Sequence, residues 1–229
     1  MVAVVDCLVL TEDSGKDGHA VVATLTRKLA ARLDPWCQTQ RLQLRQPGDE
    51  LRRAAHALTW RGNDPLRRHL IRALATTLGS STFVVVHIDG DVAWSNREAG
   101  TTRNQFERMV LSHVRGLLEL SAFRGHLLLM TPHCSIEAWL YLNLPAMESE
   151  VRDPGVRAKA TAQIRQWLAD HATLDEILAL KNECVLLNKY NGPLALTAFP
   201  MADALARSPS LAATLEQWRE SGLADMLKP

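Results

Sequence analysis

The sequence predicts an α/β fold: a doubly wound, mostly parallel four-stranded sheet of Rossmann-like winding, followed by a helical C-terminal extension. Three observations predict it. The run Phe83-Val-Val-Val-His-Ile88 is apolar at nearly every position, as in a strand buried on both faces of a parallel sheet. Strand-like and helix-like segments alternate as far as Asn143, the pattern of βαβ crossovers. After Pro145 strand-like runs nearly vanish and capped helices take over. The chain is therefore divided into an α/β domain, residues 1–144, and a helical extension, residues 145–229.

Each element has its own local reason. Val2 to Leu10 reads as a first strand, and His19 to Leu33 as an amphipathic helix with Val22, Leu25, Leu29 and Leu33 on one stripe. Pro35 breaks the chain, and Gln38 to Leu44 alternates in part, with Leu42 and Leu44 on one face, as in a weaker strand near a sheet edge. Asp64-Pro65 opens a helix striped by Leu66, Leu70, Leu74 and Leu78, which Gly79 ends. The strand Phe83 to Ile88 is followed by a polar loop, Val92 to Arg103, and a helix, Gln105 to Leu120. His126 to Met130 is a fourth strand, and Ser135 is placed to cap the helix that begins Ile136-Glu137-Ala138-Trp139. In the extension, Asp153-Pro154 starts a helix and Thr173-x-x-Glu176 reads as a capping box. Ser208-Pro209 starts a last helix carrying Leu211, Leu215 and Trp218.

Composition limits the function classes. With 229 residues, 47% of them hydrophobic, and a formal net charge of +1, the chain can bury a sizeable core and has no disordered character. The apolar run at the N-terminus is broken by Asp6, and no uncharged run approaches the ~20 residues needed to cross a bilayer, so a cytoplasmic protein is expected, with no membrane contact. Cys7, Cys37, Cys134 and Cys184 are scattered, which predicts free thiols rather than disulfides or a zinc ribbon. Arg52, Arg53, Arg61, Arg67, Arg68 and Arg72 form the one basic concentration, a solvated helix face or a phosphate-gripping surface. Near-zero net charge leaves strong non-specific nucleic-acid binding without a driving force.

The chemistry gathers at strand ends. The apolar run from Phe83 stops at Asp89-Gly90-Asp91, two carboxylates where open α/β sheets bind ligands. Glu12 falls just past the first strand and Glu137 at the start of the helix after the fourth, so all four acids are expected at one edge of the sheet. Oxygen ligands of this kind suit Mg²⁺ or Mn²⁺, with Glu12, Asp89 and Asp91 enough for one ion and part of a second. Single residues also have plainer roles: Glu12 as an anion at a helix N-terminus, Asp89 and Asp91 as turn residues around Gly90, and His87 as a core histidine. His133 and Glu137 are four apart, but no His-Glu-x-x-His is present, which argues against a zinc hydrolase. Gly15-Lys16-Asp17-Gly18 lacks the Ser or Thr and the upstream Gly of a Walker loop, so ATP binding is not expected.

Taken together, Leu8-Val-Leu-Thr-Glu12, Val84-Val-Val-His-Ile-Asp89-Gly-Asp91 and Thr131-Pro-His-Cys-Ser-Ile-Glu137-Ala-Trp-Leu140 resemble the Toprim domain. The likeness is to the small RloB-like and OLD-like nucleases of bacterial anti-phage and abortive-infection defence, and it covers residues 1 to about 143. Asp13 stands where that family often has Gly, Asp17 is its nearest second acid, and Ala93 replaces a third acid. The resemblance implies a Mg²⁺- or Mn²⁺-dependent endonuclease acting on DNA or RNA. It further implies Glu12 as metal ligand or general base, Asp89 and Asp91 as metal ligands, and Glu137 as a further carboxylate at the metal. Lys16 would neutralise phosphate, and the loop Val92 to Arg103 would close over substrate. Two other readings fit the same residues. One is a non-catalytic Toprim-like subunit docked on a partner ATPase, with Trp167 and Trp218 as candidate contact residues, although such tryptophans are more often core. The other is a glycosyltransferase holding a nucleotide-sugar diphosphate through an Asp-x-Asp-bound metal.

Overall fold

The computed structural model describes residues 4–11, 16–49, 52, 83–90, 126–175, 177, 180, 184, 186 and 188–229, without the side chains of Lys16 and Asn188. The predicted helices from Asp64 and over Gln105–Leu120, and the polar loop between Val92 and Arg103, lie outside these residues. Of the arginine concentration only Arg52 is described, paired with Asp49 at 2.7 Å.

Four strands form one all-parallel sheet: β1 (Val5–Thr11), β2 (Leu42–Arg45), β3 (Phe83–His87) and β4 (Leu127–Met130), in the order β2-β1-β3-β4. The register places Val5, Cys7, Val9, Leu42, Phe83, Val85 and Leu128 on one face, and Leu8, Leu10, Val84, Val86, Leu127 and Leu129 on the other. Both rows are buried, as the unbroken apolar runs require. Between β1 and β2, α1 (Lys16–Ala30) buries Val21, Val22, Leu25 and Leu29 against the first face. Leu33, the last member of the predicted stripe, lies in the turn beyond the helix and is partly buried. The weak strand read over Gln38–Leu44 is shorter and later: Thr39–Arg41 make a 3-10 turn, and β2 follows it at the sheet edge.

Beyond β4 come seven described helices: α2 (Glu137–Leu140), α3 (Leu144–Glu150), α4 (Pro154–Asp170), α5 (Asn191–Leu196), α6 (Met201–Arg207), α7 (Pro209–Arg219) and α8 (Leu223–Leu227). Two of the predicted caps are present. Asp153 Oδ1 accepts from the Gly155 and Val156 amides, and Ser208 Oγ accepts from Leu211. Thr173 does otherwise: its hydroxyl accepts from Asp175, two residues on, in a turn, and Glu176 lies outside the described residues. Fully buried Asn143 caps α3 by accepting from Ala146 and donates to the Leu194 and Thr197 carbonyls, tying α3 to the end of α5.

The extension packs on the sheet through one apolar cluster that runs from Val5 to Leu227. Trp218, considered above as a docking residue, is wholly buried, and its indole nitrogen donates to the Leu129 carbonyl at 2.9 Å. Trp167 is partly buried against the same cluster. Next to Trp218, the Gln217 amide accepts from Leu129 N at 3.2 Å and donates to Leu127 O at 3.3 Å. Side chains of α7 thus satisfy the outer backbone groups of β4, which stands at the end of the sheet. No described helix is long and apolar enough to cross a membrane. None of the four cysteines is in a disulfide, and burial pushes the Cys7 thiol up to about 12.

Candidate functional site

The sheet order creates a crevice. The chain leaves β1 outward to β2, then returns on the other side of β1 to β3 and β4, so the winding reverses between β1 and β3. The carboxyl ends of those two strands are where such sheets take ligands. Thr11 and His87 are register partners at those ends, and the Thr11 hydroxyl lies 3.2 Å from His87 Nδ1, bridging the reversal point. On the other side of the ring, Nε2 stands 3.3 Å from Asp89 Oδ1, an ion pair once the ring is protonated, although the two are not aligned as a hydrogen bond. His87 is buried, as expected of a core histidine, but its contacts are polar and face the strand ends.

Asp89 is only 2% exposed, and its Oδ1 accepts the Ile136 amide at 2.9 Å. The expected cap at this helix was Ser135. Instead Asp89, 47 residues away in sequence, supplies the acceptor, and no side-chain cap is made within the segment. A carboxylate is the stronger acceptor for an amide at the start of a helical turn, so the long-range partner displaces the local hydroxyl. Gly90 makes the approach of the two loops feasible. A Cβ there would lie 1.8 Å from the His133 carbonyl oxygen and 2.6 Å from that of Pro132, so only glycine fits between the β3 and β4 loops.

Ile136 leads directly to Glu137, which opens α2 and is 3% exposed. Its Oε1 accepts from Asn191 Nδ2 at 2.9 Å, and its Oε2 has no hydrogen-bond partner among the described residues. Asn191 begins α5, just after the 3-10 turn Asn188–Tyr190. One turn along from Glu137, burial first, and then Cys184 and Glu137, hold the Tyr141 hydroxyl well above the usual tyrosine range. Burial likewise raises the Cys184 thiol. Neither group supplies a phenolate or thiolate near neutral pH. At the end of β2, partial burial lowers the pKa of His19, whose Nδ1 lies 3.4 Å from Gln46 Nε2.

Of the residues singled out in the sequence, Asp89 and Glu137 are therefore brought to adjoining segments at the carboxyl end of the sheet. Glu12, Asp91 and the Lys16 side chain lie outside the described residues, and Asp17 is exposed in the first turn of α1. Among the described residues no three His, Cys, Asp or Glu side chains gather as metal ligands. Glu137 Oε2 does fit a hard cation, being a buried carboxylate oxygen with no donor among the described residues. Asn191 is the residue that sequence reasoning missed. Asn191-Gly-Pro reads locally as a turn, and only the packing of α5 brings it to Glu137.

A scan against models of known protein families finds no match, and neither do searches of curated proteins and of solved structures.

Proposed function

We propose that this protein is a divalent-metal-dependent nuclease that hydrolyses phosphodiester bonds in DNA or RNA, working as an effector of bacterial anti-phage defence. The observation that carries the reading is that two buried carboxylates, Asp89 and Glu137, stand on segments joined by the Ile136 to Asp89 hydrogen bond and the close approach at Gly90, beside the β1–β3 reversal point. Glu12 is the next residue after Thr11, and Asp91 the next after Gly90, so in sequence one further acid follows β1 and another follows Gly90. In this reading Glu12, Asp89, Asp91 and Glu137 hold Mg²⁺ or Mn²⁺, and Lys16 neutralises phosphate. When bound, the ion activates water and offsets charge on the phosphoryl group. Asp89 also orients the segment that carries Glu137, because its Oδ1 holds Ile136.

The test is cleavage of single- and double-stranded DNA and RNA by the purified chain, with Mg²⁺ or Mn²⁺ against EDTA at fixed salt. Asp89→Asn and Glu137→Gln should each lower the rate by about a hundredfold or more, the scale of a lost charge-stabilising group. Equal, metal-independent activity in wild type and both variants would remove the reading.

A second reading, a non-catalytic subunit docked on a partner ATPase, is favoured by a different surface. Trp36 is 72% exposed, and Met226 is also exposed. Their segments are joined, since Gln38 N donates to Leu227 O and the Cys37 thiol to Ala224 O. If Asp89→Asn protects host cells as well as wild type while Trp36→Ala does not, docking replaces catalysis.

A further inference from the structure

We propose that Glu137 and Asn191 form a cation-binding pair, in which Glu137 Oε2 and Asn191 Oδ1 are oxygen donors to one hard divalent ion. The helical extension then supplies part of the site. Both atoms are buried, and both lack a hydrogen-bond partner among the described residues. They belong to side chains already fixed against each other by the Asn191 Nδ2 to Glu137 Oε1 bond of 2.9 Å. Both are acceptors, so a carboxylate Oε2 and an amide Oδ1 cannot satisfy one another.

Charge decides what the two oxygens take. Glu137 is buried, and no Lys, Arg or His pairs with it among the described residues. A bridging water would satisfy both acceptors yet leave the carboxylate uncompensated, whereas a cation satisfies and neutralises together. One carboxylate oxygen with one amide oxygen is a hard donor set, which selects Mg²⁺, Mn²⁺ or Ca²⁺ over thiolate- and imidazole-loving metals.

The use of this ion in cleavage rests on the nuclease reading; its binding does not. Full-length protein stripped with EDTA is titrated with Mn²⁺, following free Mn²⁺ by electron paramagnetic resonance and thermal unfolding in parallel. Glu137→Gln should weaken Mn²⁺ binding about 10–100-fold and Asn191→Ala about tenfold. Asn191→Asp should unfold at lower temperature than wild type in EDTA, two carboxylates then facing each other, and should regain more than wild type on adding Mn²⁺. Unchanged Mn²⁺ affinity in both Glu137→Gln and Asn191→Ala overturns the pair. So does an Asn191→Asp protein whose loss of stability Mn²⁺ does not rescue, since a purely structural asparagine would behave that way. If Glu137→Gln does not fold, the Asn191 variants carry the same comparison. Intact binding with no cleavage of any nucleic acid supports the pair and removes the nuclease reading. Cleavage with variant affinities unchanged keeps the nuclease and removes the pair.

Discussion

Asp175 and Glu137 are both 3% exposed, yet they live in opposite surroundings. Asp175 has both oxygens occupied: Ser208 Oγ donates to them at 2.8 and 3.0 Å, and the Ser210 amide donates to Oδ2 at 2.8 Å. The Ser210 hydroxyl in turn accepts from the Trp139 indole at 2.7 Å, so the network locks the start of α7 onto α2. Glu137 has one oxygen occupied and one without a partner among the described residues. Burial alone therefore says little about a carboxylate's task. Full satisfaction marks Asp175 as an acid that holds the fold, and the Glu137 oxygen without a partner among the described residues is where the proposed cation would bind.

That contrast can be broken most forcefully at Asp175. Asp175→Ala strands the Ser210 amide and the Ser208 hydroxyl in the interior and should lower unfolding free energy by about 3–5 kcal/mol, read by urea denaturation. Mn²⁺ should stabilise this variant as much as wild type. A metal response lost at Asp175 would erase the distinction between the two acids.

Gly90→Ala tests the other side by pushing the β3 and β4 loops apart. With a Cβ directed at the His133 carbonyl, the loss should be about 3 kcal/mol, and Glu137 should be displaced with its segment. A variant as stable as wild type would mean that the loops part easily. Asp89 comes next. Asp89→Ala leaves the buried Ile136 amide without its acceptor and should cost about 2 kcal/mol, whereas Asp89→Asn, which keeps an oxygen there, should cost under about 1 kcal/mol. Truncation at Asp89 thus mixes folding with function, and the amide variant separates them.

The smallest effect is a pH slope. Cys184 has a thiol pKa raised above its unfolded value of 9.0, with burial as the main cause. Its contribution to stability is complete below pH 9 and declines above it, as the unfolded chain gives up the proton first. The melting temperature should therefore fall between pH 9 and 11, less steeply in Cys184→Ser. The serine hydroxyls around Asp175 do not titrate in this range, so no such slope is expected from that network. Identical slopes in wild type and Cys184→Ser would remove this difference.

The fold was legible because its strands are apolar on both sides. Phe83–His87 and Leu127–Met130 have no polar alternative, and Asp89 stood out as the first carboxylate after such a run. β2 was only half legible, since it is short, at the edge and preceded by a 3-10 turn that hides where pairing starts. Local rules failed where a distant group competed. They named Ser135 as the cap when Asp89 does that work, and they gave Thr173 a capping box where the hydroxyl bonds two residues ahead. Trp218, a candidate docking residue whose commoner place is the core, is in the core, where β4 takes its indole. Asn191 was invisible for the same reason, because its partner lies 54 residues upstream.

The seal that Gln217 and Trp218 place on β4 has a consequence during synthesis. Leu127 and Leu129 leave the ribosome some ninety residues before the side chains that quench their outward amide and carbonyls. For that interval the nascent sheet is a template onto which another extended chain can polymerise. A product stopped before Gln217 should consequently accumulate in inclusion bodies, with sedimentation of the cell extract showing the loss of soluble material.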